Sequence, residues 1–452
     1  MALEPIEELG KFFYFDDRLS TPRNTQSCAS CHEPAVGWTL PLSNINETTV
    51  GAPGAQPGAQ GGRRPQNNSY VQGFLGEYRP GGFGPVTTGG AFWDGRAEGC
   101  GASTNDPNCQ VGSTGNFSET ITEDDLPPGS PHVDFLGPVA DQALNPTARP
   151  GVEQNTREQN VCNLVRTGPY ADLYEEAYGE PIDCQPIPQD NPAYRTSFKR
   201  LAVAAAAWQG SPDVNSFSSP RDACINRVAD GDGVFPCDNL SDAANLGHDL
   251  FYGRNDSGLN GPVVVNAGCA ACHNNKGPGS DGNEPDQVYA DFAYHSIALP
   301  FNRELIGNVE GADPGLLAHD DLPGNVVGLG DAGLFKTPTV RNATKDERGI
   351  TKAFMHNGYF KNIEDVVHFY NTRFVKQACE DLGIEDATAE EAIANDCWPA
   401  SEFPGTEVVL PGLLGQLGLN EDQEAALVAY IRSLEDTHTP TAPSMSRNPN
   451  GG

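Results

Sequence analysis

The chain has 452 residues, with 28 Lys and Arg against 61 Asp and Glu, a formal net charge of -33, and 37% hydrophobic residues. That length suits two to three domains of ordinary size, while 51 Gly and 37 Pro predict much loop between packed elements. The acidity speaks against a nucleic-acid binder, which needs basic side chains for phosphate, and favours a basic partner or a small neutral substrate. No apolar run approaches the ~20 residues of a membrane helix.

The opening stretch MALEPIEELGKFFYFDDRLS shows no basic segment followed by an apolar one, so any export leader is absent from this numbering. An aromatic cluster and a polar loop then lead to Cys28-Ala29-Ser30-Cys31-His32. Residues 51–65 and 81–90 read as Gly- and Pro-rich loop, and 97–136 as a polar surface insertion. The clearest helix of the first half is predicted over 193–211, stopped by Gly210 and Pro212, and the polar stretch 212–240 reads as a linker. A second aromatic cluster and polar loop precede Cys269-Ala270-Ala271-Cys272-His273, which makes a weak internal repeat.

Further on, 362–374 has apolar residues at helical spacing. Residues 419–434 predict a helix capped by Asn420, with Glu421, Asp422 and Glu424 at its positive end and Arg432 at the other. Leu427, Val428, Ile431 and Leu434 share its apolar face. The tail from 436 to 452 is predicted to be loose. With little β alternation, the expected class is mainly α.

The C-x-x-C-H pattern attaches c-type haem: the thiols form thioethers and the His becomes an axial iron ligand. A redox dithiol or half a zinc site is the alternative for one copy, but two copies, each with His directly after the second Cys, predict two covalently bound haems. The other eight of the 12 cysteines form local couples: Cys100 with Cys109, Cys162 with Cys184, Cys224 with Cys237, and Cys379 with Cys397. Four short disulfides fit that spacing, with buried thiols as the alternative, and place the protein in the periplasm or at the cell surface.

The second axial ligand decides whether a haem binds small molecules or carries electrons. The chain has only Met1, Met355 and Met445 as thioethers, of which Met355 is the candidate for the second haem, with His356 as the rival ligand. Between His32 and His132 there is no His or Met, which predicts an open first haem, unless His132 folds back over it. Without such an open iron the chain would be a non-catalytic electron carrier.

The two haem motifs, the SCASCHEPAVGWT context, GGAFWDGRA (89–97), YHSIALP (294–300), FKTPTVRN (335–342) and FMHNG followed by IEDVVHFYN together resemble the bacterial di-haem cytochrome c peroxidases and the related MauG oxidases. The resemblance spans nearly the whole chain. It implies two cytochrome c-like domains, 1–225 carrying the peroxidatic haem on Cys28, Cys31 and His32, and 238–435 carrying the electron-transfer haem on Cys269, Cys272, His273 and Met355. Trp93 matches a Trp lying between the haems. Gln142 and Glu153 match, imperfectly, a Gln and a Glu facing the active haem: in DQALNPTARPGVEQ, Asn145 replaces a Gly, Arg149 an Asn, and the acid arrives one residue late. Such a carboxylate can move a proton between peroxide oxygens and such an amide can hydrogen-bond the bound peroxide.

The resemblance further implies calcium held by Asn67 or Asn68 with Thr337 to Thr339. Many members place a His over the peroxidatic haem, from a loop that corresponds to GGRRPQNNSYVQ (61–72) here. That stretch has no His, which predicts activity without reductive activation. The expected function is reduction of hydrogen peroxide to water with electrons from a small donor protein, a cytochrome c or a cupredoxin. A homodimer is one expected assembly. The alternative is a MauG-like oxidase that modifies a residue such as Trp on a partner protein.

Overall fold

In a computed structural model, the structure describes residues 2–83, 86–99, 121, 123–129, 137–148, 153–189, 192–226, 234–277, 279–305, 312–318, 332–405 and 414–445. Helices dominate, and the strands form three two-stranded ladders among these residues. Most of the 97–136 insertion, the Cys100/Cys109 couple and His132 lie outside the described residues.

Each half is organised around one crossing of two helices. In the first, helix Pro5–Phe15 starts with Pro5 and a reciprocal Glu4/Glu7 cap, which satisfies backbone N–H groups that have no partner within the helix. It buries Ile6, Leu9, Phe12 and Phe13, each contributing about 1.5–3 kcal/mol of apolar burial, against helix Ala193–Gly210. Gly10 sits where the two backbones meet: a Cβ there would lie 1.9 Å from Ala204 O. In the second half, helix Asp242–Tyr252 crosses helix Glu421–Arg432 in the same manner, and a Cβ on Gly247 would lie 2.0 Å from Ala426 O. Counted back from the haem motifs, Gly10 opens GKFFYF and Gly247 opens GHDLFY. The weak repeat in sequence is therefore a repeat of helix-crossing geometry.

Helices Ala193–Gly210, Ile363–Thr372 and Glu421–Arg432 lie where the sequence predicts them, the last two capped by Asn362 and Asn420. Three cysteine couples are disulfides: Cys162–Cys184, Cys224–Cys237 and Cys379–Cys397. Two expectations fare differently. The polar stretch from 212 is not an open linker over its described part: Asp222 is buried and takes two hydrogen bonds, at 2.6 and 2.7 Å, from the buried Arg341 guanidinium. Burial alone would raise the Asp222 carboxyl, but Arg341 overcomes it and holds the group below its ordinary range. Nor is the tail loose as far as residue 445. Asp436 is buried and accepts from Tyr70, Asn342 and Ser218, and Met445 packs against the core of the first half.

Candidate functional site

Both C-x-x-C-H segments fold into the same tight turn. Cys28 O accepts from the N–H groups of Cys31 and His32 at 3.1 and 2.9 Å, and Cys269 O from those of Cys272 and His273 at 3.3 and 2.9 Å. The two thiols and the imidazole of each motif are thus held together on one turn. All four motif cysteines are outside disulfides, and burial pushes the Cys28, Cys31 and Cys269 thiols up to about 12.

The His32 ring is fixed by Nδ1, 2.6 Å from Gln66 O, and the His273 ring by Nδ1, 3.1 Å from Tyr289 O. A carbonyl only accepts, so Nδ1 carries the proton in both rings and Nε2 keeps its lone pair for a metal. Burial lowers both imidazoles, His32 to about 4, so each is neutral at pH 7. Tyr14, on the first helix, donates to His32 O at 2.9 Å and ties the motif to the helix crossing.

Each motif opens into a cavity. The first, of about 820 Å³, is lined by Cys28, Cys31 and His32 together with Gln142 and Glu153, the two residues predicted to face the active haem. Gln142 projects from helix Pro138–Ala148. Glu153 lies close enough to the Cys28 and Cys31 thiols for its charge to raise both. Among the described lining residues His32 is the sole imidazole and no thioether is present. The second cavity, of about 260 Å³, is lined by Cys269, Cys272 and His273, by Met355 and His356, and by apolar side chains such as Phe251, Leu299, Phe354 and Val367. His356 Nε2 is 3.0 Å from Glu402 Oε2 and its ring stacks on Phe335, whereas Met355 borders the cavity from a left-handed backbone position, φ +68°.

Trp93 lines both cavities. It is 5% exposed, donates from Nε1 to Arg64 O at 2.8 Å, and lies under the Arg64 guanidinium at 5.6 Å. The ladder Tyr294–His295 with Phe335–Lys336 supports this wall, and Lys336 N–H donates to Trp93 O at 3.1 Å. Arg64 and Lys336 also line both cavities and make no ion pair among the described residues. Burial pulls Arg64 down to about 10, which leaves it charged at pH 7, and Lys336 to about 7, while Arg64 Nε donates to Met355 O and Lys336 Nζ to Gly90 O and Phe92 O. Nearby, Arg63 clamps Asp94 at 2.6 Å and Asp313 at 2.5 Å. Burial opposes ionisation of Asp94, but Arg63 and Arg96 hold it at about 2. The sequence alone does not single out Arg63, Arg64 or Lys336, because their partners and cavities are assembled from distant segments.

The residues implied to hold calcium border the first cavity, with Thr337 and Thr339 at both. Their side chains are engaged within the protein: Asn67 Oδ1 accepts from Ser69 N–H at 2.8 Å in a local turn, Asn67 Nδ2 donates to Arg341 O, and Thr337 and Thr339 donate to Ala293 O and Val288 O. Asn68 Nδ2 is 3.4 Å from the Tyr14 hydroxyl.

These features fit two covalent haems. Paired thiols stand outside disulfides beside an imidazole with an outward lone pair, each set faces a cavity, and the basic side chains of Arg64 and Lys336, in no ion pair among the described residues, border both cavities. Among the described residues no helix is long and apolar enough to cross a membrane.

Residues 4–229 match the sequence profile of the family described as di-haem cytochrome c peroxidase. The chain is 26% identical to methylamine utilization protein MauG of Paracoccus denitrificans over 447 residues, covering 96% of this chain and 89% of MauG. It is 24% identical to cytochrome-c peroxidase IdrP2 of a Pseudomonas species over 379 residues, 80% of this chain and 72% of that protein. Its fold is similar to that of the diheme peroxidase BthA from Burkholderia thailandensis, with TM-score 0.64, 23% identity, and coverage of 99% and 90% of the two chains. A MauG-like protein associated with microbial copper homeostasis shares the fold at TM-score 0.56 and 20% identity, with coverage of 99% and 94%.

Proposed function

Because the chain belongs to the di-haem cytochrome c peroxidase family, we propose that it is an exported peroxidase reducing hydrogen peroxide to water with electrons from a small donor protein. The observation that carries this reading is the asymmetry of the cavities. The first is roomy, has one imidazole and no thioether among its described lining residues, and is bordered by a carboxylate and an amide; the second is tighter, largely apolar, and bordered by a thioether.

Haem bound in the first cavity supplies an iron able to take two electrons' worth of oxidation from peroxide, and haem in the second supplies an electron reservoir. In this assignment Cys28 and Cys31 anchor the first haem and His32 holds its iron through Nε2; Cys269, Cys272, His273 and Met355 do the same for the second. Glu153 takes a proton from one peroxide oxygen and returns it to the other, and Gln142 donates a hydrogen bond that orients the substrate. Trp93, bordering both cavities, lies on the route for electrons between them. The absence of His in 61–72 supports activity without prior half-reduction. The acidic surface supports docking of a basic cytochrome c by steering, which weakens as salt rises.

A second reading is favoured by the near-complete coverage of MauG: a protein oxidase acting on a partner chain. Steady-state assays decide between them. We expect peroxide-dependent oxidation of reduced cytochrome c, with a rate that falls as ionic strength rises. Peroxide consumption without cytochrome oxidation, accompanied by modification of a partner protein, would replace this reading with the second.

A further inference from the structure

Three amide side chains facing the first cavity present an acceptor that receives no hydrogen bond. Gln26, Asn145 and Gln154 are 4%, 2% and 2% exposed and all line that cavity. Gln26 Nε2 donates to Pro53 O at 2.6 Å, and Gln154 Nε2 donates to Gln26 O at 3.4 Å. Because a backbone carbonyl only accepts, the NH₂ end of each amide must be the end facing it, which fixes the oxygen as the end turned elsewhere. Among the described residues Gln26 Oε1 and Gln154 Oε1 are buried and accept nothing, and Asn145 Oδ1, on an amide that no such carbonyl orients, is buried without a partner as well. Asn145 lies three residues after Gln142 on helix Pro138–Ala148, so the two share a face.

Haem does not satisfy these atoms. Its polar substituents are carboxylates, which accept hydrogen bonds when ionised, and an orphaned carbonyl oxygen needs a donor. Native interiors leave few buried acceptors unmet, so three around one cavity mark a place shaped for O–H or N–H groups. An uncharged amide oxygen takes a hydrogen bond from a donor and gains none from an anion that only accepts, so these atoms suit a small neutral donor. Hydrogen peroxide offers two O–H groups, and so does each water made from it.

We propose that Gln26, Asn145 and Gln154 are substrate-binding residues that receive the O–H groups of hydrogen peroxide in the first cavity. This rests on the peroxidase reading and extends the site beyond Gln142 and Glu153. The amide oxygens hold the substrate by its protons, while proton movement remains with Glu153.

The test uses the haem-loaded full chain and the apolar variants Asn145→Leu and Gln154→Leu. Oxidised protein is titrated optically with hydroxylamine at a pH where it is a neutral donor, and with azide, an anion that only accepts. Each variant should weaken hydroxylamine binding about three- to tenfold, the worth of one hydrogen bond, and raise the KM for peroxide by a similar factor. Azide binding should not weaken, and the melting temperature should stay close to wild type, because the existing bonding removed is the long 3.4 Å contact from Gln154 Nε2 to Gln26 O. Unchanged hydroxylamine affinity in both variants would overturn the proposal. So would an equal loss for azide, which signals a distorted cavity, or a marked fall in melting temperature, which signals a structural amide. Should one variant fail to fold, the other decides. If the wild-type protein turns over no peroxide with cytochrome c, the peroxidase reading fails while the hydroxylamine titration still judges the pocket.

Discussion

The two cavities share their foundations and differ in what closes them. Each is built on a Cys-x-x-Cys-His turn whose imidazole is pinned through Nδ1 by a backbone carbonyl, and each half is supported by a helix crossing at a glycine. Beyond these common parts, the first cavity is lined by Gln142, Glu153 and three further amides around about 820 Å³. The second presents Met355 and a mostly apolar wall around about 260 Å³. One fold element used twice thus supports two different linings, and the difference lies in Gln26, Gln142, Asn145, Glu153 and Gln154 on one side and Met355 on the other. The attachment turn states that a haem is bound; the lining decides what it does.

Several substitutions probe this contrast. The largest effect is expected for Glu153→Gln, which removes the proposed proton carrier of the first cavity and should slow the reaction with peroxide by about 100-fold or more, read by stopped-flow mixing. A rate within a few-fold of wild type would assign the proton to another group. Next, Met355→Leu should turn the second cavity into an open site: its haem should gain azide binding and shift in potential by on the order of 0.1 V, measured by spectroscopic redox titration. If the spectrum of that haem is unaltered, His356 or another group is the ligand.

Smaller effects test the shared foundation. Gly10→Ala and Gly247→Ala each force a Cβ into a backbone carbonyl and should cost about 1–3 kcal/mol, seen in denaturant unfolding. Losses of similar size would support equivalent crossings, and a neutral result at either would refute the close approach there. An effect of similar size concerns pH. Asp94 is held at about 2 against an ordinary value of 3.8, so its ion pairs with Arg63 and Arg96 contribute about 2 kcal/mol that is present above the ordinary value. That contribution should drain away as pH falls from the ordinary carboxylate value towards about 2, and Asp94→Asn should flatten this part of the stability curve.

What could be read in the sequence was whatever is encoded locally. The haem turns need five consecutive residues, the disulfide couples Cys162–Cys184, Cys224–Cys237 and Cys379–Cys397 close short loops, and Asn420 with its acidic first turn announces the helix that follows. Features held by distant partners stayed hidden. The helices Pro5–Phe15 and Asp242–Tyr252 read as aromatic clusters, because the glycine that permits each crossing matters only once its partner helix is in place. Asp222 looked like part of a linker until Arg341, far along the chain, was brought against it. Asp436 looked like the start of a loose tail, yet Tyr70 and Asn342 fix it. Around the site, Gln142 and Glu153 came from a family pattern, whereas Arg64, Lys336, Gln26 and Gln154 became visible only when separate segments met around the cavities.

The sharpest check on the asymmetry is low-temperature electron paramagnetic resonance of the oxidised, haem-loaded protein as isolated. We predict one high-spin signal from the first haem, lost on peroxide addition, and one low-spin signal from the second. Two low-spin signals, with the first arising from two nitrogen ligands, would contradict an open first cavity and with it the assignment of the two roles.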